Sequence, residues 1–167
     1  MPKSMIVGMI LFSLILIVGS YFLLVSGSGN KPQVPIVTYQ TSDNEKPIVE
    51  AKETFTDFGT IKVSEEKTKE FIIKNIGKRP LQLSNFSTSC GCTVVQIIYQ
   101  SKTSDEFSMH AQGDYILEVA PQTQATIRVT YRPYIMPVYG VVGREAYIST
   151  NDPAVPKLVL KVKSFVK

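Results

Sequence analysis

The eight residues ATIRVTYR, 125–132, decide the fold class of this chain. Ile127, Val129 and Tyr131 alternate with arginine and threonine, so on an extended strand these three side chains point to one face. The C-terminal segment KLVLKVKSFV, residues 157–166, repeats the pattern with lysines on the opposite face. This alternation predicts strands that have one buried face and one face in water.

Six further short segments are rich in β-branched and aromatic residues, and turn-type clusters such as Asp57-Phe58-Gly59 and Asn151-Asp152-Pro153 lie between them. The pattern requires no helix and predicts an all-β, immunoglobulin-like β-sandwich of about seven strands. The chain has no Trp and only two cysteines, so the inter-sheet disulfide of antibody domains is excluded. The six segments are IVEAKETF (48–55), TKEFIIKN (68–75), LQLSNFSTS (81–89), TVVQIIYQ (93–100), DYILEVA (114–120) and REAYISTN (144–151).

The N-terminal part of the chain is different in character. Residues 5–26, MIVGMILFSLILIVGSYFLLVS, contain no charged residue. As a helix this segment would be roughly 33 Å long, enough to cross a hydrocarbon core of about 30 Å. We therefore predict that residues 1–26 form a transmembrane anchor, with residues 5–26 in the lipid bilayer. A signal peptide, cleaved near Gly27 or Gly29, and a buried helix of a globular core are the alternatives.

Orientation and domain boundaries follow from the residues around this segment. The amino terminus and Lys3 precede it and Lys31 follows it, which favours a single-pass topology with the C-terminal domain outside the cytoplasm, periplasmic or extracellular. Residues 27–46, GSGNKPQVPIVTYQTSDNEK, are rich in Gly, Pro and polar residues and predict a linker, although its apolar residues would also allow packing on the domain. Residues 47–167 are enough for one domain.

Charge and motif content argue against two classes of function. The net charge of +4 owes much to C-terminal lysines on one strand, which a solvated strand face explains, so we predict no nucleic-acid partner. The only histidine, His110, lies in the polar stretch QSKTSDEFSMHAQGD, residues 100–114, and is expected to be an exposed loop residue. No phosphate-binding loop or nucleophile elbow occurs. We therefore predict that the protein is not an enzyme and has no catalytic or cofactor-binding residues.

The string Ser89-Cys90-Gly91-Cys92-Thr93 holds both cysteines and is the chemically distinctive feature of the sequence. Three interpretations remain open. The pair could form a structural turn, with buried thiols or a local disulfide that Gly91 would allow. It could bind a soft metal, with Cys90 and Cys92 as thiolate ligands for Cu(I) or Zn(II) and Met109 and His110 as additional ligands. A redox role is the third, although the spacing is not the C-x-x-C of thioredoxin-like enzymes.

The order of these motifs resembles the bacterial domain-of-unknown-function family 1573 over roughly residues 50–165. That family is similar to the Hydin-like and major-sperm-protein-like immunoglobulin folds, and its members are typically exported and have no established activity. The resemblance therefore implies a fold and a location more than a reaction. It rests on Phe55-Thr56-Asp57-Phe58-Gly59-Thr60-Ile61, Phe71-Ile72-Ile73-Lys74-Asn75-Ile76-Gly77, Leu81-Gln82-Leu83, Ser89-Cys90-Gly91-Cys92-Thr93, Ile127-Arg128-Val129-Thr130-Tyr131 and Thr150-Asn151-Asp152-Pro153.

Two departures from the family pattern are visible. The turn Ala120-Pro121-Gln122 replaces the Pro-Gly of the family, and residues 101–113 look like an insertion beside the Cys-Gly-Cys strand, where a protein-specific contact or a third metal ligand would lie. The hypothesis that follows is a non-enzymatic, membrane-anchored module that contacts another membrane or cell-surface protein, as an accessory subunit of a membrane complex. The alternative is copper handling through Cys90 and Cys92.

Overall fold

A computed structural model describes residues 2–26 and 35–167, which form two compact units. The first unit contains one helix, α1 (Lys3–Ser26), whose window Ser4–Tyr21 is long and apolar enough to cross a membrane, a test that a signal sequence also passes. Two serine hydroxyls in α1 donate to backbone carbonyls one turn earlier, at 2.9 Å, so these polar groups are satisfied within the helix. The candidate cleavage residues Gly27 and Gly29 lie outside the described residues.

The second unit, residues 35–167, is an immunoglobulin-like β-sandwich of two five-stranded sheets. Only the pair formed by β2 and β10 is parallel, and all other neighbours are antiparallel. The first sheet contains, in spatial order, β1 (Val49–Ala51), β3 (Lys67–Asn75), β8 (Gln124–Tyr131), β5 (Thr93–Tyr99) and β6 (Lys102–Thr103). The second contains β2 (Phe55–Ile61), β10 (Lys157–Val166), β9 (Gly140–Thr150), β4 (Leu81–Thr88) and β7 (Leu117–Val119).

The sandwich is confirmed, but it has ten strands rather than about seven. The short strands β1 and β7 lie within the predicted segments 48–55 and 114–120, whereas β6, with two residues, is too short for a periodic pattern to be recognised. The predicted turn Asp57-Phe58-Gly59 is wrong, because these residues lie inside β2. Gly59 has a φ of 68° there, and the register with β10 shifts between Asp57 and Thr60, so the turn-like signal marks a β-bulge.

The alternation of the two defining strands is confirmed in the core. Ile127, Val129 and Tyr131 of β8 are buried, and every second residue of β10 is buried. Burying one large apolar side chain stabilises a fold by about 1.5–3 kcal/mol, so these inner faces hold the two sheets together. The largest fully buried side chains are those of Tyr131, Phe71, Phe86, Ile61, Ile73, Leu81, Leu83, Ile97, Ile127, Ile148, Leu160 and Gln82.

The chain enters the sandwich at the end where β4 begins, which we call the entry end. Of the predicted linker 27–46, residues 27–34 lie outside the described residues, whereas residues 35–46 are hydrogen-bonded to the domain. The side chain of Gln82, the second residue of β4, accepts from the Val37 N–H at 2.7 Å and donates to the Pro35 carbonyl at 3.0 Å. Further along, the Lys78 N–H donates to the Lys46 carbonyl at 3.1 Å.

Candidate functional site at the disulfide end

The opposite end of the sandwich carries the cysteine pair, in the turn that joins β4 to β5. We call it the disulfide end. Cys90 and Cys92 are joined by a disulfide, and their Cα atoms are 5.3 Å apart. Residues two apart on a regular strand are about 6.5 Å apart or more, so the turn at Gly91 brings the two cysteines within bonding range. Cys90 is 8% exposed and Cys92 is fully buried.

The backbone of this turn is held by hydrogen bonds that do not involve sulfur. The buried hydroxyl of Thr88 lies 2.7 Å from the Cys90 carbonyl oxygen and 2.9 Å from the Thr93 carbonyl oxygen. The Arg132 N–H donates to the Cys92 carbonyl at 2.8 Å. Ser89 donates its N–H to the neighbouring strand β9 and accepts an N–H from it, each at 2.9 Å. The turn is thus tied to both sheets.

A guanidinium group contacts the disulfide from β9. The Nε of Arg144 lies 3.2 Å from the Sγ of Cys92 and donates towards it. The same guanidinium lies over the ring of Tyr131, 5.7 Å from its centroid, and its Nη1 donates to the Gly143 carbonyl at 3.0 Å. These contacts fix a positive charge beside the sulfur of Cys92, the more buried of the two cysteines.

The loop predicted to be an insertion, residues 101–113, folds back beside the disulfide turn. Phe107 anchors this loop to the domain. The backbone N–H and carbonyl of Phe107 each form a 2.8 Å hydrogen bond with Val95 of β5, and the Phe107 side chain is buried. The Met109 N–H then donates to the Thr88 hydroxyl at 3.1 Å. The ring of His110 lies against the turn, with Cδ2 3.4 Å from where a Cβ on Gly91 would be.

These positions bear on the predicted metal site. The structure brings His110 to the cysteine pair, and His110 is an exposed loop residue, as expected. Met109 reaches the turn through its backbone. Within residues 2–26 and 35–167, no group of three or more His, Cys, Asp or Glu side chains is assembled as a metal site. Thiolate ligation would require the disulfide to be reduced first, so metal binding by Cys90 and Cys92 stays a prediction.

Charged side chains connect the loop to the end of β8. The guanidinium of Arg132 donates to both carboxylate oxygens of Glu106, at 2.8 Å each, and to Glu66 at 3.2 Å. The hydrogen bond from Arg132 holds the pKa of Glu106 below its usual value, and the pKa of Arg132 is raised by the same bond. Because Arg132 also bonds to the Cys92 carbonyl, loop and disulfide turn share one anchoring residue.

An exposed apolar segment leaves the sandwich at the same end. Directly after Arg132, the chain forms a short 3-10 turn, Pro133–Ile135, and then runs to β9 without regular structure. Five of its apolar side chains, Val141 at the start of β9 and Phe165 of β10, which pairs with Val141, are 43–70% exposed. Contiguous exposed groups of this kind are typical of interaction surfaces. We call this set the apolar segment; its members are Tyr134, Ile135, Met136, Val138, Tyr139, Val141 and Phe165.

A depression of about 460 Å³ lies next to the apolar segment, on the outer face of the second sheet. Gly143 leaves a gap there between larger side chains, and Lys161 and Lys163 line it. Each lysine is paired with a carboxylate, Lys161 with Glu145 at 3.0 Å and Lys163 with Asp57 at 3.4 Å. The carboxylates largely compensate the positive charge of these lysines. This agrees with the prediction that the C-terminal lysines lie on a solvated strand face.

The sequence did not reveal several of these residues. Arg144 is 52 positions from Cys92, and no motif links the two; it becomes visible only when β9 passes the turn. In the sequence, nothing distinguishes Thr88 from other threonines in strands. The sequence does contain a signal for the apolar segment, in the run PYIMPVYGVV, residues 133–142. Its prolines and glycine prevent the whole run from forming one buried strand, so some of its apolar side chains have to lie outside the core.

Comparison with known proteins places the domain in context. No curated protein matches the sequence. A protein of unknown function from Porphyromonas gingivalis W83 is similar in structure, with a TM-score of 0.55 and 21% identity over 81% of this chain, and this chain spans 51% of it. At that identity the likeness concerns the fold alone.

Two further solved structures are more distant. The ASH/PapD-like domain of human CEP192 is 11% identical, with a TM-score of 0.44, over 81% of this chain and 98% of that domain. The E. coli chaperone DraB is 11% identical, with a TM-score of 0.42, over 72% of this chain and 55% of that protein. The sequence comparison is more specific than the structural one. Residues 49–166 match a family described as protein of unknown function (DUF1573). The chain therefore belongs to the DUF1573 family.

Proposed function

We propose that this protein is a non-enzymatic, membrane-anchored module whose immunoglobulin-like domain binds another protein outside the cytoplasm, as an accessory subunit of a membrane complex. The observation that carries the proposal is the apolar segment at the disulfide end. Seven apolar side chains exposed together are costly to leave in water and are suited to burial against a protein surface.

The apolar segment and the point where the chain enters the domain lie at opposite ends of the sandwich. The chain enters the domain through Pro35, which is bonded to Gln82 at the entry end. The apolar segment lies at the opposite end of the sandwich, next to the Cys92–Arg132 hydrogen bond. Residues 35–46 therefore do not cover the apolar segment, which is left open for a partner protein.

Photocrosslinking tests the partner contact. A photoreactive amino acid replaces Tyr139 in the full chain in native membranes, and Ile76, an exposed apolar residue at the entry end, is the matched control position. We expect one discrete protein adduct from position 139 and none from position 76. The adduct should disappear when Ile135→Ser and Met136→Ser are combined. Adducts to lipid, or equal adducts from both positions, would contradict the proposal.

The topology is tested separately. An alkaline phosphatase fused after Lys167 is active only outside the cytoplasm, so an active fusion is expected. An inactive fusion, together with an active cytoplasmic reporter at the same position, would contradict an external domain. Retention of α1 in the mature protein, measured by mass spectrometry, distinguishes an anchor from a cleaved signal peptide.

Soft-metal handling is a second proposal, and the position of His110 favours it. Once the disulfide is reduced, the two thiolates and the neighbouring imidazole would offer ligands that suit Cu(I). Anaerobic titration of the reduced protein with Cu(I) tests this. Stoichiometric binding that is lost with Cys90→Ser and Cys92→Ser and weakened with His110→Ala is expected; binding unchanged by all three substitutions would exclude the site.

A further inference from the structure

The disulfide encloses a single residue, Gly91. A cross-link stabilises a fold mainly by restricting the unfolded chain, and this effect grows with the number of residues enclosed. The turn is also held without sulfur, by Thr88, by Ser89 and by the Arg132 N–H. Loss of the sulfur–sulfur bond should therefore cost the fold little, so that exchange would not require the domain to unfold.

The two sulfur atoms are not equivalent. Cys90 retains some exposure, at 8%, whereas Cys92 is fully buried beneath the turn. An incoming thiolate attacks one sulfur and expels the other along the sulfur–sulfur axis. Cys90 is the less buried of the two residues, so attack at its Sγ, with Cys92 as the leaving sulfur, is the favoured direction.

The leaving sulfur is the one that contacts a positive charge. Arg144 donates to the Sγ of Cys92 at 3.2 Å, and its guanidinium is held by the Tyr131 ring and the Gly143 carbonyl. A thiolate released at Cys92 would be stabilised there without any rearrangement of the arginine. Hydrogen bonds to a charged group are roughly twice as strong as neutral ones, so this contact strengthens as negative charge develops.

We propose that Cys90–Cys92 is a thiol–disulfide exchange site that accepts electrons from a thiol donor. In the first step, a donor thiolate forms a bond to the Sγ of Cys90. The Cys90–Cys92 bond breaks, and its electron pair leaves with Cys92 as a thiolate beside Arg144. In the second step, another donor thiolate attacks the donor sulfur of the mixed disulfide and releases Cys90 as a thiolate. The pair gains two electrons, two protons from water complete both thiols, and the donor becomes a disulfide.

The test uses the full chain in detergent micelles. The native protein is equilibrated with mixtures of reduced and oxidised glutathione or with a reduced protein dithiol, then alkylated and weighed by mass spectrometry. We expect reversible reduction of the folded protein, and the more effective donor shows whether a small thiol or a protein dithiol is preferred. If neither donor reduces the pair unless the domain is unfolded, the proposal is wrong.

The role of Arg144 is tested by substitution. Loss of one charge-assisted hydrogen bond in Arg144→Gln should lower the equilibrium constant for reduction about tenfold, and Arg144→Lys should restore much of it. Arg128→Gln, which removes an exposed arginine paired with Glu70, is the matched control and should have no effect. Thermal melting checks that each variant is folded. Equal reduction constants for the wild type and Arg144→Gln would overturn the proposal.

Single-cysteine variants test which sulfur is attacked. With oxidised glutathione, Cys90 in the Cys92→Ser variant should form a mixed disulfide faster than Cys92 in the Cys90→Ser variant, because Cys90 is the less buried of the two residues. Equal rates, or a faster reaction at Cys92, would contradict the assignment of Cys90 as the attacked sulfur. Circular dichroism before the reaction confirms that both variants are folded.

Discussion

The backbone of Lys46 passes directly over Gly77, so that a Cβ atom on Gly77 would overlap the Lys46 carbonyl oxygen and lie 2.5 Å from the Ile48 nitrogen. Gly77 ends the motif that contains Asn75, whose buried side chain accepts from the Gly77 N–H at 3.0 Å and donates to the Arg79 and Val119 carbonyls. The glycine is required by close approach of two backbones rather than by its own conformation.

Gly77→Ala should therefore destabilise the domain by roughly 2 kcal/mol or more, because two backbone segments must separate. Gly143→Ala is the matched control, since an added Cβ there meets no atom within 4 Å. Urea unfolding of both variants measures the difference. A Gly77→Ala variant as stable as Gly143→Ala would show that residues 46–48 are not held against this turn.

Reduction of the disulfide should leave the domain folded and lower its free energy of unfolding by about 1.5 kcal/mol, the value expected for a ring of three residues. Urea unfolding with and without a thiol reductant measures this change. Leu160→Ala, which empties part of the core, should cost more, about 2–5 kcal/mol. Complete unfolding on reduction would show that the bond is a main support of the fold.

The hydroxyl of Thr88 joins the insertion loop to the disulfide turn, since it accepts from the Met109 N–H and lies beside the Cys90 carbonyl. Thr88→Val keeps the side-chain shape but removes these bonds in a buried place, which should cost about 1–3 kcal/mol. Hydrogen exchange of the Met109 amide should also accelerate. Thr60→Val on the exposed face of β2 is the control and should change neither quantity.

The ion pair between Glu106 and Arg132 predicts a pH dependence. Because Arg132 holds the pKa of Glu106 below its usual 4.5, the pair stabilises the fold above about pH 4.5, and this contribution is lost as the pH falls through the lowered pKa. The pair is at the surface, so the contribution is about 0.5 kcal/mol at low salt.

Urea unfolding between pH 3 and 6 tests this dependence. Glu106→Gln should flatten the curve in that range, whereas Asp105→Asn, which removes a neighbouring charge outside the Arg132 network, should not. Identical curves for Glu106→Gln and the wild type would show that the ion pair does not contribute.

The sequence was informative wherever side-chain periodicity determines burial. β8 and β10 are long enough to alternate visibly, and both were predicted correctly. β2 was missed in part because the bulge at Gly59 has the same residues as a turn, and only its pairing with β10 distinguishes the two. Pairing is a long-range property, so a local pattern could not supply it.

In the candidate site, too, the local features could be predicted from the sequence and the long-range contacts could not. The cysteine pair is local in sequence and was recognised as the distinctive feature. Its surroundings come from three distant segments: Arg144 from β9, His110 from the insertion loop and Arg132 from the end of β8. The spacing of these residues carries no signal, because the register of β9 against β4 and the anchoring of the loop by Phe107 bring them together.

The small ring around Gly91 also simplifies the biogenesis of the protein. With two cysteines in the chain and one residue between them, only one intramolecular pairing exists, and no mispaired isomer can trap the folding chain. The strands can assemble first and the bond can form afterwards, since its closure moves no strand past another. Maturation of this domain should therefore require an oxidant but no disulfide isomerase.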